Sequence, residues 1–141
     1  MRNVTPKEKQ KNSETSEQSH ENEVNVRPSS SKESGLAMLA HLLTTLGWFG
    51  LPAVNLIAPA AVWIFSKGKH PFAVDQAKES LNFQITMSVA LLVSYALLSI
   101  GIGAIGLVIL PFVNLTLVFI ASIKSNKGVA YRYPWTVRLI S

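Results

Sequence analysis

Hydrophobic positions along the chain collect in long uninterrupted blocks. No charged residue occurs between Gly35 and Ser66 or between Ser80 and Ile123, blocks of 32 and 44 residues. A water-soluble domain would break such runs with charges on its solvent face. Crossing a hydrocarbon core of about 30 Å takes roughly 20 apolar residues in a helix. The first block is therefore long enough to cross once with excess, and the second long enough to cross twice. The pattern predicts an all-α integral membrane helical bundle, with apolar segments at about 35–66, 74–100 and 104–125 giving three or four membrane helices.

Polar residues inside these blocks refine the elements. At 100° per residue, Asp75, Lys78, Glu79, Asn82 and Thr86 fall in one stripe, while Phe72, Leu81 and Phe83 point elsewhere. One helix from about Val74 to Ile100 is expected, its first two turns wet and the rest in lipid. His70-Pro71 suits its start, because proline is tolerated in a first turn. A third crossing follows from Ala104 to Ser125, with Gly101, Gly103 and Gly106 making the turn and allowing close helix contact. The first block is ambiguous. As one straight helix, Gly35 to Phe65 would run about 46 Å, beyond the bilayer core, and Gly47, Gly50, Pro52 and Pro59 are places to break it. Either a kinked helix crosses once and leaves the preceding residues outside, or a short hairpin with Leu36–Leu46 as its first arm keeps them inside; the hairpin is preferred. The sequence LPAVNL at 51–56 also returns as LPFVNL at 110–115. If that is a duplication, both segments run in the same direction; chance matching of apolar segments is the alternative.

Outside the blocks, residues 1–34 hold six Lys or Arg and six Glu with no aromatic residue. Such a segment buries too little apolar surface to offset its ordering entropy and reads as a disordered, neutral tail before a transmembrane domain at 35–141. The net charge of +5 then belongs to the remainder. Its charges fall in two stretches, Lys67 to Glu79 and Lys124 to Arg138, separated by two crossings, so they share a side. Short Lys- and Arg-rich loops stay in the cytoplasm, which places loop 66–80 and the C-terminal segment inside. The excess charge is explained by membrane topology, so no nucleic-acid partner is expected. The chain has no cysteine, excluding disulfides and thiolate metal sites.

Intramembrane polar residues are costly unless paired. Asn55, Asn114, Thr86 and His41 are the candidates here, either lining a solute path or bonding between helices. His41 reads as a proton-sensing group or as a neutral hydrogen-bonding residue near an interface. The stripe around Asp75, Lys78 and Glu79 reads as an acid/base or cation site, or as a wet helix face with an internal ion pair, which is preferred. Trp48, Trp63, Tyr131, Tyr133 and Trp135 suit the headgroup level, with partner docking around Tyr131 to Arg138 as the alternative. No triad, phosphate loop, dinucleotide fingerprint or zinc-protease motif is present, so neither enzyme activity nor a cofactor is expected.

The stretches HPFAVDQAKESLNFQIT (70–86) and IKSNKGVAYRYPWTVRLI (123–140) resemble the Tic-twenty-like small bacterial multipass membrane proteins. That resemblance covers residues 35–141 and implies a multipass helical domain in a bacterial plasma membrane, with both signature stretches on one face. It implies no catalytic residues. The functional expectation is a scaffold or accessory protein that docks partners, or a second copy of itself, through Lys78, Glu79, Asn82, Gln84, Tyr131, Arg132 and Tyr133. A Tic-like channel lined by Asn55, Asn114 and Thr86, and protection against membrane-active peptides, are the alternatives.

Overall fold

The computed structural model describes residues 26–49 and 53–140, without the side chains of Trp48 and Phe49. Most of the expected tail, the Leu51-Pro52 half of the first repeat and the Trp48 anchor therefore lie outside the described residues. Four α-helices make up the described part: α1 (Ser31–Leu42), α2 (Val54–Ser66), α3 (Pro71–Ala96) and α4 (Gly103–Asn126). A 3-10 segment, Leu43–Phe49, follows α1, and a short one, Leu97–Ile100, extends α3. Residues 129–140 run on without helix.

The first apolar block folds as a hairpin of two short helices. At 12 and 13 residues, α1 and α2 rise only about 18–20 Å each, short of the bilayer core. The two pack against each other and against α3. Their outer ends meet. Glu33 in the first turn of α1 accepts a hydrogen bond from the backbone N–H of Phe72, at the start of α3, at 2.7 Å. Residues 29–33, the 67–70 loop and the start of α3 therefore sit at one end of the bundle. Pro28 packs beside Gly128, just past the end of α4, so that end joins them. A single kinked crossing of residues 35–66 would separate these ends, whereas the fold brings them together. The helices α2 and α4, which carry the two repeat copies, both end on this face. The copies differ locally: Pro111 lies inside α4, whereas α2 begins only at Val54.

Helix α1 starts inside the segment expected to be tail. Ser30 is its N-cap, its hydroxyl accepting from Glu33 N–H at 3.3 Å. Helix α3 has Pro71 in its first turn and no cap from its own preceding residue. Glu33 fills that gap, since orphan N–H groups at a helix start favour an anionic acceptor. Its second oxygen accepts from Ser29 N–H and Oγ–H, each at 2.8 Å. The sequence reading assigned Glu33 to the tail; in the fold it staples α1 to α3.

Among the described residues, only α3, with its 3-10 extension (Pro71–Ile100), and α4 (Gly103–Asn126) are long and apolar enough to cross a membrane. Gly101, with φ of 83°, turns the chain between them. A Cβ at Gly103 would collide with the Ser94 carbonyl and the Leu98 amide, so the helices approach closely there. Burial along α3 is graded. Phe72 to Gln84 contribute most of its buried residues, whereas Val89, Leu92 and Val93 are exposed. Ile105, Val108, Ile109, Phe112 and Phe119 on α4 are exposed as well, completing an apolar belt that suits lipid. The core lies toward the polar end, where Phe83, Val118, Ala121, Tyr131 and Tyr133 cluster.

Burial opposes ionisation of Glu33, but hydrogen bonds from Ser29, Phe72 and Ala73 outweigh it and hold the carboxyl below its ordinary value of 4.5. The stabilisation this provides is complete above that ordinary value and is lost as pH falls through the depressed one. Unfolding in detergent followed from neutral to acid pH should show that loss, and Glu33→Gln should flatten it. An acid limb unchanged in Glu33→Gln would assign it to other groups.

Candidate functional site

The expected polar stripe on α3 exists, and the segment after α4 lies along it. Gln76 is the hub. Its Oε1 accepts from Tyr131 N–H at 3.0 Å and Ser125 Oγ–H at 3.2 Å, and its Nε2 donates to Asp75 Oδ2 at 2.8 Å. Those partners fix which end of the amide is oxygen. His41 Nε2 lies 3.3 Å from the same oxygen, which can only accept, so Nε2 carries the proton. The other ring nitrogen, Nδ1, is then the acceptor for Tyr133 O–H at 3.0 Å. Burial, then Tyr131 and Glu79, push the Tyr133 hydroxyl well above its ordinary pKa of 10.0, which keeps that donor protonated. His41 is therefore a neutral bridge between α1, α3 and the segment after α4. Its ring is fully buried.

One turn on, Glu79 takes over. It accepts from Tyr133 N–H at 2.8 Å and from Arg138 Nε–H and Nη2–H at 3.0 and 2.9 Å. Arg132 forms a two-pronged pair with Asp75 at 2.8 and 2.9 Å. Asn82 Oδ1 accepts from Leu139 and Ile140 N–H, while its Nδ2 donates to the Ile140 carbonyl at 2.9 Å. Thr86 Oγ1 accepts from Val137 N–H at 3.1 Å and donates to Asn82 O at 2.9 Å. The segment thus climbs α3 from Gln76 to Thr86 and folds back to Asn82. Tyr133 locks it by stacking on Phe83, with ring centroids 3.8 Å apart.

This geometry corrects two expectations about the stripe. It is not a wet face, because Glu79 is 3% and Asn82 1% exposed. Its ion pairs are not internal either: both carboxylates pair with arginines 57 and 59 positions away. Lys78 instead reaches over the Trp63 ring, 5.9 Å from its centroid. Tyr131 and Tyr133 are buried in the protein, while Trp135 is exposed.

The intramembrane candidates are not gathered in one path. Asn114 donates to Gln84 Oε1 at 3.2 Å inside the α3–α4 contact, Asn55 packs beside Gly47, and Thr86 serves the segment after α4. The sequence reading passed over Gln76, Ser125 and Ser80, whose hydroxyl donates to the Ala40 carbonyl at 2.8 Å. Small polar residues spaced along apolar helices were the available signal. No group of three or more His, Cys, Asp or Glu that could hold a metal ion occurs among the described residues.

A family model described as the magnetosome magnetite crystal formation protein family (MamF/MmsF) matches residues 32–140. The chain belongs to the MamF/MmsF family. That match overturns the Tic-twenty-like resemblance, because both stretches that suggested it, 70–86 and 123–140, lie within the matched range. Physically, those motifs are the two halves of one internal clasp, KE-x-LNFQ on α3 and YRYP on the segment it holds, and neither needs an import machine to explain it. No curated protein and no solved structure gives a significant match. In this MamF/MmsF protein the matched region begins in the first turn of α1 and ends where Asn82 grips Ile140.

The anchors should rank by desolvation. Asn82→Leu leaves two N–H groups and a carbonyl without partners, costing about 2–4 kcal/mol. Arg132→Ala removes a partly exposed pair, with side chains 33% and 22% accessible, and should cost about 1 kcal/mol or less. Unfolding midpoints of the two variants in the same detergent check this order, and a larger loss for Arg132→Ala would reverse it.

Proposed function

We propose that this MamF/MmsF protein is a non-enzymatic accessory protein of a bacterial cell membrane or of a magnetosome membrane derived from it, acting in crystal formation as a membrane-held docking platform. The observation that carries this reading is how charge is used on the polar face. Glu33, Asp75 and Glu79 are all consumed internally, by backbone amides or by Arg132 and Arg138. Arg27, Lys32, Lys67, Lys69 and Lys127 make no ion pair among the described residues. Among the described residues the face therefore carries excess positive charge. Its complement is an acidic protein segment, drawn in by the field and held by pairs at the rim. An open cleft of about 500 Å³, lined by Arg27, Pro28, Lys127 and Gly128 among others, offers such a segment a seat.

On this reading the basic face is cytoplasmic, following the charge bias of short loops. Lys78, Glu79, Asn82, Gln84, Tyr131, Arg132 and Tyr133 build the platform, and the lysines around them meet the partner.

Photo-crosslinkers at positions 69 and 127 in the native host test this reading. An adduct to an acidic protein is expected, and it should be lost in Lys67→Glu/Lys69→Glu/Lys127→Glu with the membrane level of the protein unchanged. Adducts indifferent to that charge reversal would refute electrostatic docking.

A further inference from the structure

The segment after α4 has two unlike sides. Trp135, Val137 and Leu139 are 88%, 58% and 67% exposed, whereas Arg138 reaches Glu79 and Ile140 is held by Asn82. Trp135 also sits at φ of 56°, the left-handed region that a bulky residue enters only under constraint. The most exposed large apolar side chain of the described residues is thus held outward by an unfavourable backbone conformation.

We infer that residues 135–139 form a ledge seated in the lipid bilayer at headgroup depth, with Trp135, Val137 and Leu139 in contact with lipid. Two further features carry this. The first is continuity: Val137 is bonded to Thr86, less than one helical turn before lipid-facing Val89 on α3, so the exposed apolar surface of the ledge runs into the belt. The second is how the extended backbone is satisfied. Water would serve the N–H groups of Val137, Leu139 and Ile140 at no cost, yet each is taken by a side-chain oxygen of Thr86 or Asn82. Non-helical backbone at the inner edge of the headgroup layer gains from that provision, since acceptors become scarce toward the hydrocarbon core. Trp135, an apolar ring with one N–H, suits the headgroup boundary. Arg138, paired with Glu79 yet about half accessible, keeps its charge at that boundary.

The chain contains no cysteine, so Val137→Cys, Leu139→Cys and, as an aqueous reference, Lys67→Cys each give one labelling site. All three side chains point away from the anchors. Spin labels on the full chain in phosphatidylcholine/phosphatidylglycerol vesicles report collisions with oxygen, which concentrates in lipid, and with a water-soluble nickel chelate. Labels at 137 and 139 are expected to show a several-fold higher oxygen-to-nickel collision ratio than the label at 67. In an independent readout, Trp135 as sole tryptophan (Trp48→Phe/Trp63→Phe) should be quenched by shallowly brominated lipid more than by deeply brominated lipid. Nickel access at 137 and 139 equal to that at 67 would mean a water-facing surface awaiting a protein, and would overturn the inference. Protection from both reagents would mean a covering protein or second copy, and would overturn it equally.

Discussion

An extended peptide laid against a membrane helix brings backbone N–H groups that neither lipid nor packed apolar side chains can satisfy, and each costs several kcal/mol if left alone. Here α3 supplies the acceptors. Gln76, Glu79, Asn82 and Thr86 meet the amides of Tyr131, Tyr133, Val137, Leu139 and Ile140 at distances of 2.8 to 3.1 Å. Tyr133 can then stack on Phe83 and reach His41, which ties α1 to the same assembly. Without those acceptors the segment would stay in water, and the buried groups of α3 would lack the partners that make their burial tolerable.

The same economy shapes the rest of the bundle. The first apolar block returns on itself, and Glu33 closes the return by capping α3. Three separate pieces of chain, residues 28–33, the start of α3 and the stretch around Gly128, are thereby collected on one face. The opposite end needs no such polar stitching, because α3 and α4 meet lipid there with apolar side chains and touch each other through Gly103 and Ser94. One end of the molecule is polar, densely hydrogen-bonded and lined with basic residues at its rim. The other is a plain two-helix hairpin.

The helical membrane class was legible because charge-free blocks of 32 and 44 residues admit little else. The stripe on α3 was legible too, since 100° spacing puts Asp75, Glu79, Asn82 and Thr86 on one side. What it faces was not. Helical periodicity says which residues share a side, whereas the arginines that answer Asp75 and Glu79 come from a segment with no periodic signal, 57 and 59 positions on. Glu33 was hidden for a related reason: it stands among polar residues resembling tail, and only its packing on Phe72 N–H distinguishes it. The resemblance to Tic-twenty-like proteins rested on the very motifs that form the clasp, and the MamF/MmsF match over residues 32–140 replaces it. Motifs that hold a fold together identify the fold more readily than the job.

The central claim is that α3 side chains hold the backbone of residues 131–140. Residue-resolved amide hydrogen exchange on the full chain in lipid nanodiscs tests it most directly. Tyr131, Tyr133, Val137, Leu139 and Ile140 should exchange slowly, and Asn82→Ala should release Leu139 and Ile140 while Tyr131 stays protected by Gln76. Fast exchange at all five amides in the unaltered protein would contradict the clasp.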